Sequence, residues 1–133
     1  MTESDEEMRI LAQKVRVAIE TADLSSFGEL LDPDVRWGPP GASRPPCTNR
    51  DDVLAWYRRA MGSGARARVN DVTILGDLIL LGLVVTRTEA AEERGGSALR
   101  WQVLTVRAGR IIDIVGFEDR VDALAHVGAP AET

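Results

Sequence analysis

One cysteine, Cys47, and one histidine, His126, are all that 133 residues contain of those two types. The chain therefore cannot close an intramolecular disulfide, and it cannot assemble a Cys/His zinc site or a two-histidine iron triad from its own side chains. A pair of chains would bring only two of each. Lysine is as scarce: Lys14 is the only one, so a Schiff-base enzyme would have to use it, and it falls on a charged stretch of the first helical segment. Phosphate-loop spacing is missing, because neither Gly28 nor Gly38-Pro39-Pro40-Gly41 is followed by the required lysine, and no Gly-x-Ser-x-Gly nucleophile turn occurs. No cofactor and no metal are expected. The longest apolar run, residues 78–85, holds Gly82 and is far too short for a bilayer span, and no charged start leads into an apolar signal region. Membrane association is not expected, and the cytoplasm is the expected address. With Lys+Arg 16 against Asp+Glu 21 the net charge is −5, so no general basic field exists to hold nucleic acid or anionic lipid. Aromatics are few as well, at 3 Trp, 2 Phe and 1 Tyr.

What is present suffices for one domain over residues 1–133, with a core from about 8 to 128, since a chain this long buries about 68% of its unfolded surface. Arginine in place of lysine, with abundant Ala, Gly and Val, suggests a GC-rich bacterial genome. After an acidic start expected to fray over Glu3–Glu7, Met8, Leu11, Val15, Ala18/Ile19 and Ala22 recur at helical spacing. Ser26-Phe27-Gly28-Glu29 has the form of a capping box for a short second helix running into Leu30 and Leu31 and stopped by Pro33. Extended Val35-Arg36-Trp37 follows, then an irregular Pro/Gly loop over 38–46, then a third helix capped by Thr48 or Asn49 with Val53, Trp56/Tyr57 and Ala60 on one side and Gly62 and Gly64 at its end. The period then changes to that of strands over 66–75, 78–88, 98–107 and 110–117, separated by Gly76-Asp77, by the polar segment 89–96 and by Ala108-Gly109. The charges of that polar segment predict a solvated hairpin tip. Asp119 predicts a final helix with Val121, Leu124 and Val127 inward, closed by Gly128 with Pro130 beyond. This order predicts an α+β domain, with N-terminal helices packed on a strongly curved, mostly antiparallel sheet.

Leu30-Leu31-Asp32-Pro33-Asp34-Val35-Arg36-Trp37, Asn49-Arg50-Asp51-Asp52-Val53 and Leu104-Thr105-Val106-Arg107-Ala108-Gly109-Arg110-Ile111 occur in an order and spacing that resembles the nuclear transport factor 2-like superfamily, specifically its SnoaL-like small bacterial members. The resemblance runs from about Met8 to Gly128. It implies a cone of helices over a bent sheet, an internal apolar pocket and frequent dimers through the outer sheet face. Isomerases, cyclases, dehydratases, epoxide hydrolases and non-catalytic members share that fold, so function depends on the pocket residues. Against ketosteroid isomerase, the catalytic aspartate falls near Trp37, the first-helix tyrosine near Val15 and the buried protonated aspartate at Gln102; Tyr57 matches a supporting tyrosine. Against SnoaL-type cyclases and limonene epoxide hydrolase, the last-strand aspartate falls at Gly116, and the hydrolase's arginine and aspartate at Leu78 and Leu80. The working groups of those mechanisms are thus absent from the matched positions.

Strand alternation places Ala98, Arg100, Gln102, Leu104 and Val106 on one face and Leu99, Trp101, Val103, Thr105 and Arg107 on the other. By the resemblance the first set faces the pocket, joined by Ile112, Ile114, Gly116 and Glu118, with Ile111, Asp113, Val115 and Phe117 outside. Trp101, Val103, Val115 and Phe117 would then form an apolar outer patch and predict a homodimer. The expected ligand-binding residues are Trp37, Trp56, Tyr57, Arg100, Gln102, Leu104, Ile114 and Glu118. Two functions follow: a pocket protein for a small, mostly apolar molecule, or a cofactor-independent isomerase, cyclase or dehydratase with Glu118 as acid/base and Arg100, Gln102 and Tyr57 orienting the substrate. A Glu118 carboxylate facing solvent would remove the second in that form. Cys47 has no base beside it and reads as packing; His126 reads as a solvated helix end.

Overall fold

The computed structural model describes residues 4–39, 45–93 and 95–128. The element order is α1 (Asp5–Glu20), α2 (Leu24–Glu29), β1 (Leu31–Gly38), α3 (Arg50–Gly62), β2 (Arg66–Leu75), β3 (Leu78–Thr86), α4 (Glu89–Glu93), β4 (Ser97–Arg107), β5 (Arg110–Phe117) and α5 (Arg120–His126). The strands form one sheet in the order β1-β5-β4-β3-β2, antiparallel except where β1 runs parallel to β5. The expected α+β fold is therefore present.

From its cap at Ser4 onward the acidic start is helical rather than frayed. Ser4 accepts a hydrogen bond from the Glu7 amide at 3.1 Å, and Asp5, Glu6 and Glu7 occupy the first turn of α1, where carboxylates meet the positive end of the helix dipole. Met8, Leu11, Ala12, Val15 and Ala18 form its buried stripe; Ala22 lies past the end, in the left-handed region at φ 56. The cap of α2 is Asp23, not Ser26: its two carboxylate oxygens accept from the Ser26 amide at 3.1 Å and the Ser26 hydroxyl at 2.6 Å. An ionised carboxylate is the stronger acceptor at a helix start, so the helix begins earlier than the Ser-x-x-Glu pattern suggests. Leu31 and Pro33 belong to β1 rather than ending α2. Proline is tolerated there because β1 is an edge strand, and its pairing with β5 is interrupted between Leu31 and Arg36. The expected loop at 38–46 lies largely outside the described residues, as does Pro130.

Asn49 caps α3, accepting from the Asp52 amide at 2.8 Å. Gly76 (φ 64) turns β2 into β3, and Ala108 (φ 52) with Gly109 (φ 77) turns β4 into β5 through a two-residue link of the kind that matches strand twist. The segment after β3 is not simply a solvated tip: the Thr88 hydroxyl accepts from the Ala91 amide at 3.1 Å, and Ala91 is fully buried in α4.

Two apolar clusters cover the two faces of the sheet. The inner one joins α1 and α3 to Ile79, Leu81, Leu104, Val106, Ile111 and Ile114. Ile111 was expected outside and Ile112 inside; the register slips after Thr105↔Asp113 to Val106↔Ile111, so Ile112 is the extra residue of a bulge and Ile111 turns inward. The outer cluster holds Leu80, Trp101, Val103, Val115 and Phe117 with Ala123 and Leu124 of α5. Those four residues expected as an exposed patch are on the outer face, but each is at most 9% exposed within the single chain. Their burial has three sources. The Trp101 ring lies over Gly82, so close that a side chain there would stand 2.7 Å from it. The Arg120 guanidinium sits 6.0 Å from the Trp101 ring centre, and α5 packs on β4 and β5. Within the single chain Trp101, Val103, Val115 and Phe117 therefore do not form an exposed patch. In α5 it is Ala123 and Leu124 that face the sheet, while Val121 is 61% exposed instead of inward.

Candidate functional site

A cavity of about 540 Å³ opens between the helices and the inner face of the sheet. Its size lies within the range of pockets for small organic ligands. The end of α1, with α2 and α3, forms one wall; Leu83 and Val85 of β3, Arg100 and Gln102 of β4 and Gly116 of β5 form the floor. Larger hollows along the outside of α1 mix apolar residues such as Met8, Leu11 and Leu30 with the exposed charges Glu7, Lys14, Glu29 and Arg110, and are less apolar in lining than the cavity.

Four of the six aromatic side chains line the cavity as one continuous run. Trp37 packs on Trp56 with ring centres 4.3 Å apart, Trp56 meets Tyr57 edge-on at 5.2 Å, and Tyr57 meets Phe27 edge-on at 5.3 Å. Such offset and edge-to-face contacts hold each ring in place without filling the space in front of it. Trp37 is fixed from behind as well, by a two-way backbone bridge: its amide donates to the Cys47 carbonyl at 3.0 Å and its carbonyl accepts from the Cys47 amide at 3.2 Å. The Cys47 thiol behind it is buried, and burial pushes its pKa up, with the Asp52 carboxylate adding to the shift, so it is not a reactive thiolate.

The cavity has few polar groups, and they are specific. Gln102 Nε2 donates to Tyr57 Oη at 3.1 Å, joining β4 to α3 across the cavity wall. Burial pushes the Tyr57 hydroxyl up to about 12, outweighing the opposing effect of the Gln102 bond. Tyr57 thus stays protonated at all physiological pH and keeps its own O–H available as a donor. The indole Nε1–H of Trp37 is buried with no hydrogen-bond partner among the described residues. A buried donor without an acceptor is costly.

Of the expected site residues, Trp37, Trp56, Tyr57, Arg100 and Gln102 come together around this cavity. Leu104 and Ile114 do not: they face the same side of the sheet but are fully enclosed in the inner core, where α1 packs down and leaves no space. Glu118 stands outside it at the rim, its side chain 74% exposed, with Oε1 3.6 Å from Arg100 Nη1. Leu78 and Leu80, matched above to catalytic positions, belong to the outer side of β3; the inward residues of that strand near the cavity are Leu83 and Val85. Gly116 does face the cavity, and a Cβ built there would meet nothing within 4 Å. Sequence reasoning named Phe27 only as part of the second helix's capping motif, gave Arg87 no place in the cavity, and passed over Met61 and Arg66. Arg66 and Arg87 could have been found from their positions at the paired ends of β2 and β3, since Arg66 lies opposite Thr86.

No group of three or more His, Cys, Asp or Glu side chains that could hold a metal occurs among the described residues, and none of their helices is long and apolar enough to cross a membrane. No curated protein sequence matches the chain at a significant level. Solved structures do match its fold. A candidate ketosteroid isomerase from Kribbella flavida has a TM-score of 0.71 at 21% identity, covering 86% of this chain and 79% of that one. A candidate polyketide cyclase from Sinorhizobium meliloti has 0.66 at 20% identity, covering 84% and 98%. An NTF-2 like protein of unknown function from Burkholderia xenovorans has 0.68 at 16% identity, covering 97% and 88%. These identities carry the fold and no activity. The SnoaL-like domain pattern matches residues 12–114, most of the helices and sheet just described, and the chain belongs to that family.

Proposed function

We propose that this chain binds a small, mostly apolar molecule in the aromatic-walled cavity, holding it by apolar contact and orienting it through Tyr57 and Gln102. The observation that carries this reading is the continuous four-ring wall around a cavity whose few polar groups include the bonded Tyr57–Gln102 pair. Apolar surface removes the bulk of the ligand from water, and the few fixed polar groups select its orientation. Isomerase, cyclase or dehydratase chemistry, to which the names of two structural neighbours point, finds weaker support. No Asp or Glu is among the described residues lining the cavity, and the Glu118 carboxylate faces solvent. A neutral Tyr57 can polarise a ligand carbonyl but cannot act as a base near neutral pH.

Native mass spectrometry of the purified protein tests the proposal. The expected spectrum contains a small-molecule adduct that disappears on denaturation and is lost or much reduced in a Gly116→Leu variant, whose added side chain enters the cavity. An adduct of the same abundance in that variant would place the molecule elsewhere and contradict the reading.

A further inference from the structure

The cavity's opening has a chemistry of its own. Arg66, Arg87 and Arg100 line it, from the start of β2, the residue after β3 and the middle of β4, together with Ser63 and Thr88. No carboxylate joins them among the described residues of the lining, although the chain as a whole carries net charge −5. Arg66 is held in place by its own Nη1, which donates to the Ala65 carbonyl at 2.7 Å and the Met61 carbonyl at 3.3 Å at the end of α3. Arg87 has left-handed backbone (φ 58), uncommon for a residue with a long side chain, and its stem lies against Gly64. Arg100 meets one carboxylate, from Glu118 at 3.6 Å, and that partner is three-quarters exposed. An ion pair so open to water is weak and readily exchanged.

We infer that the ligand is amphipathic: an apolar body against Trp37 and Trp56 carrying a single carboxylate that sits at the opening among Arg66, Arg87 and Arg100. This rests on the binding role proposed above and specifies its ligand class. Guanidinium groups suit carboxylates because paired N–H donors match the two oxygens, and Arg100 already holds a carboxylate of the protein at this place. A ligand carboxylate would take over from Glu118, while the apolar body fills the space that no protein side chain occupies above Gly116.

Octanoate, octanol and octylamine share one apolar body and differ only in the head group, so isothermal titration calorimetry with the three isolates it. The expected result is octanoate binding about tenfold more tightly than octanol, as a charge-assisted bond would give, with octylamine weakest. Arg87→Gln and Arg100→Gln should each weaken octanoate severalfold and leave octanol unchanged, whereas Glu118→Gln, which removes the competing carboxylate, should tighten octanoate. Added salt should weaken octanoate alone. Equal affinities for octanoate and octanol would overturn the carboxylate assignment and leave the apolar cavity standing. Octanoate binding that ignores both arginine variants would overturn it as well. Failure of all three compounds to bind would contradict the cavity's binding role itself.

Discussion

Tyr57 is the chain's only tyrosine, which makes its ionisation directly readable as tyrosinate absorbance. Burial raises its pKa to about 12 from an ordinary value near 10. The folded protein therefore keeps the proton where the unfolded chain gives it up. Stability from this group is intact below pH about 10 and is lost as pH rises towards 12, because the unfolded state then binds fewer protons. The expected titration has its midpoint near 12 in the native protein and near 10 in denaturant, and a Tyr57→Phe variant should lose this alkaline component. The same substitution removes the acceptor of Gln102 Nε2 and leaves a buried amide unpaired, at a cost of about 1–3 kcal/mol in urea unfolding. A Tyr57→Phe variant as stable as the parent would show that Gln102 reaches water instead. At this scale strand and helix periods grouped Arg100 with Gln102 and Trp56 with Tyr57, and the family resemblance turned these residues and Trp37 toward a pocket, where they line the cavity. The sequence was uninformative about Trp37 Nε1 and about the outward set of Glu118, since both depend on packing from other elements.

The strands and α3 were legible from their period and punctuation; the departures come from interactions across elements. Asp23 outcompetes Ser26 as a cap because of charge, Pro33 is accommodated by an edge strand, and the Ile112 bulge reverses Ile111 with no trace in the alternation of β5. The outer face was misjudged for the same reason: alternation places Trp101 and Phe117 there, but only the packing of α5 decides whether that face meets water. Gly82 and Trp101 form the cross-strand unit that flattens this face, the indole lying where a side chain would be. Gly82→Ala should therefore force the ring aside and destabilise the protein by about 1–3 kcal/mol, measured as a lowered midpoint in thermal or urea unfolding. A neutral effect would mean the indole has room to move. Leu124 is the main apolar anchor of α5, 5% exposed, and Leu124→Ala should cost about 2–3 kcal/mol. Leu124→Asp should go further and uncover Trp101 and Phe117. Sedimentation should then show self-association greater than that of the unaltered chain; unchanged sedimentation would mean that α5 does not shield the patch.

For the whole molecule, the sheet separates two kinds of interior. One end of its inner face is packed solid by α1 around Leu104 and Ile114, and the outer face is closed by α5, so the unfilled apolar volume gathers at the other inner end, between α3 and Gly116. The family fold led to an expected pocket, but not to which expected lining residues would be sealed inside the core. Scarce aromatics are concentrated there: Phe27, Trp37, Trp56 and Tyr57 form the wall, and Trp101, whose ring packs on the outer face, also touches the lining. Because Trp37 and Trp56 are in that wall, intrinsic fluorescence reports occupancy directly. The decisive measurement is a fluorescence titration with octanol of the unaltered protein beside Gly116→Leu. The account predicts a saturable change in the unaltered protein and binding at least about tenfold weaker in the variant. The variant's melting temperature should not fall, because a Cβ at Gly116 meets open space, the cavity lies beyond it, and glycine is itself unfavourable on a strand. Equal affinity in the two proteins, or no saturable change in the unaltered one, would contradict it.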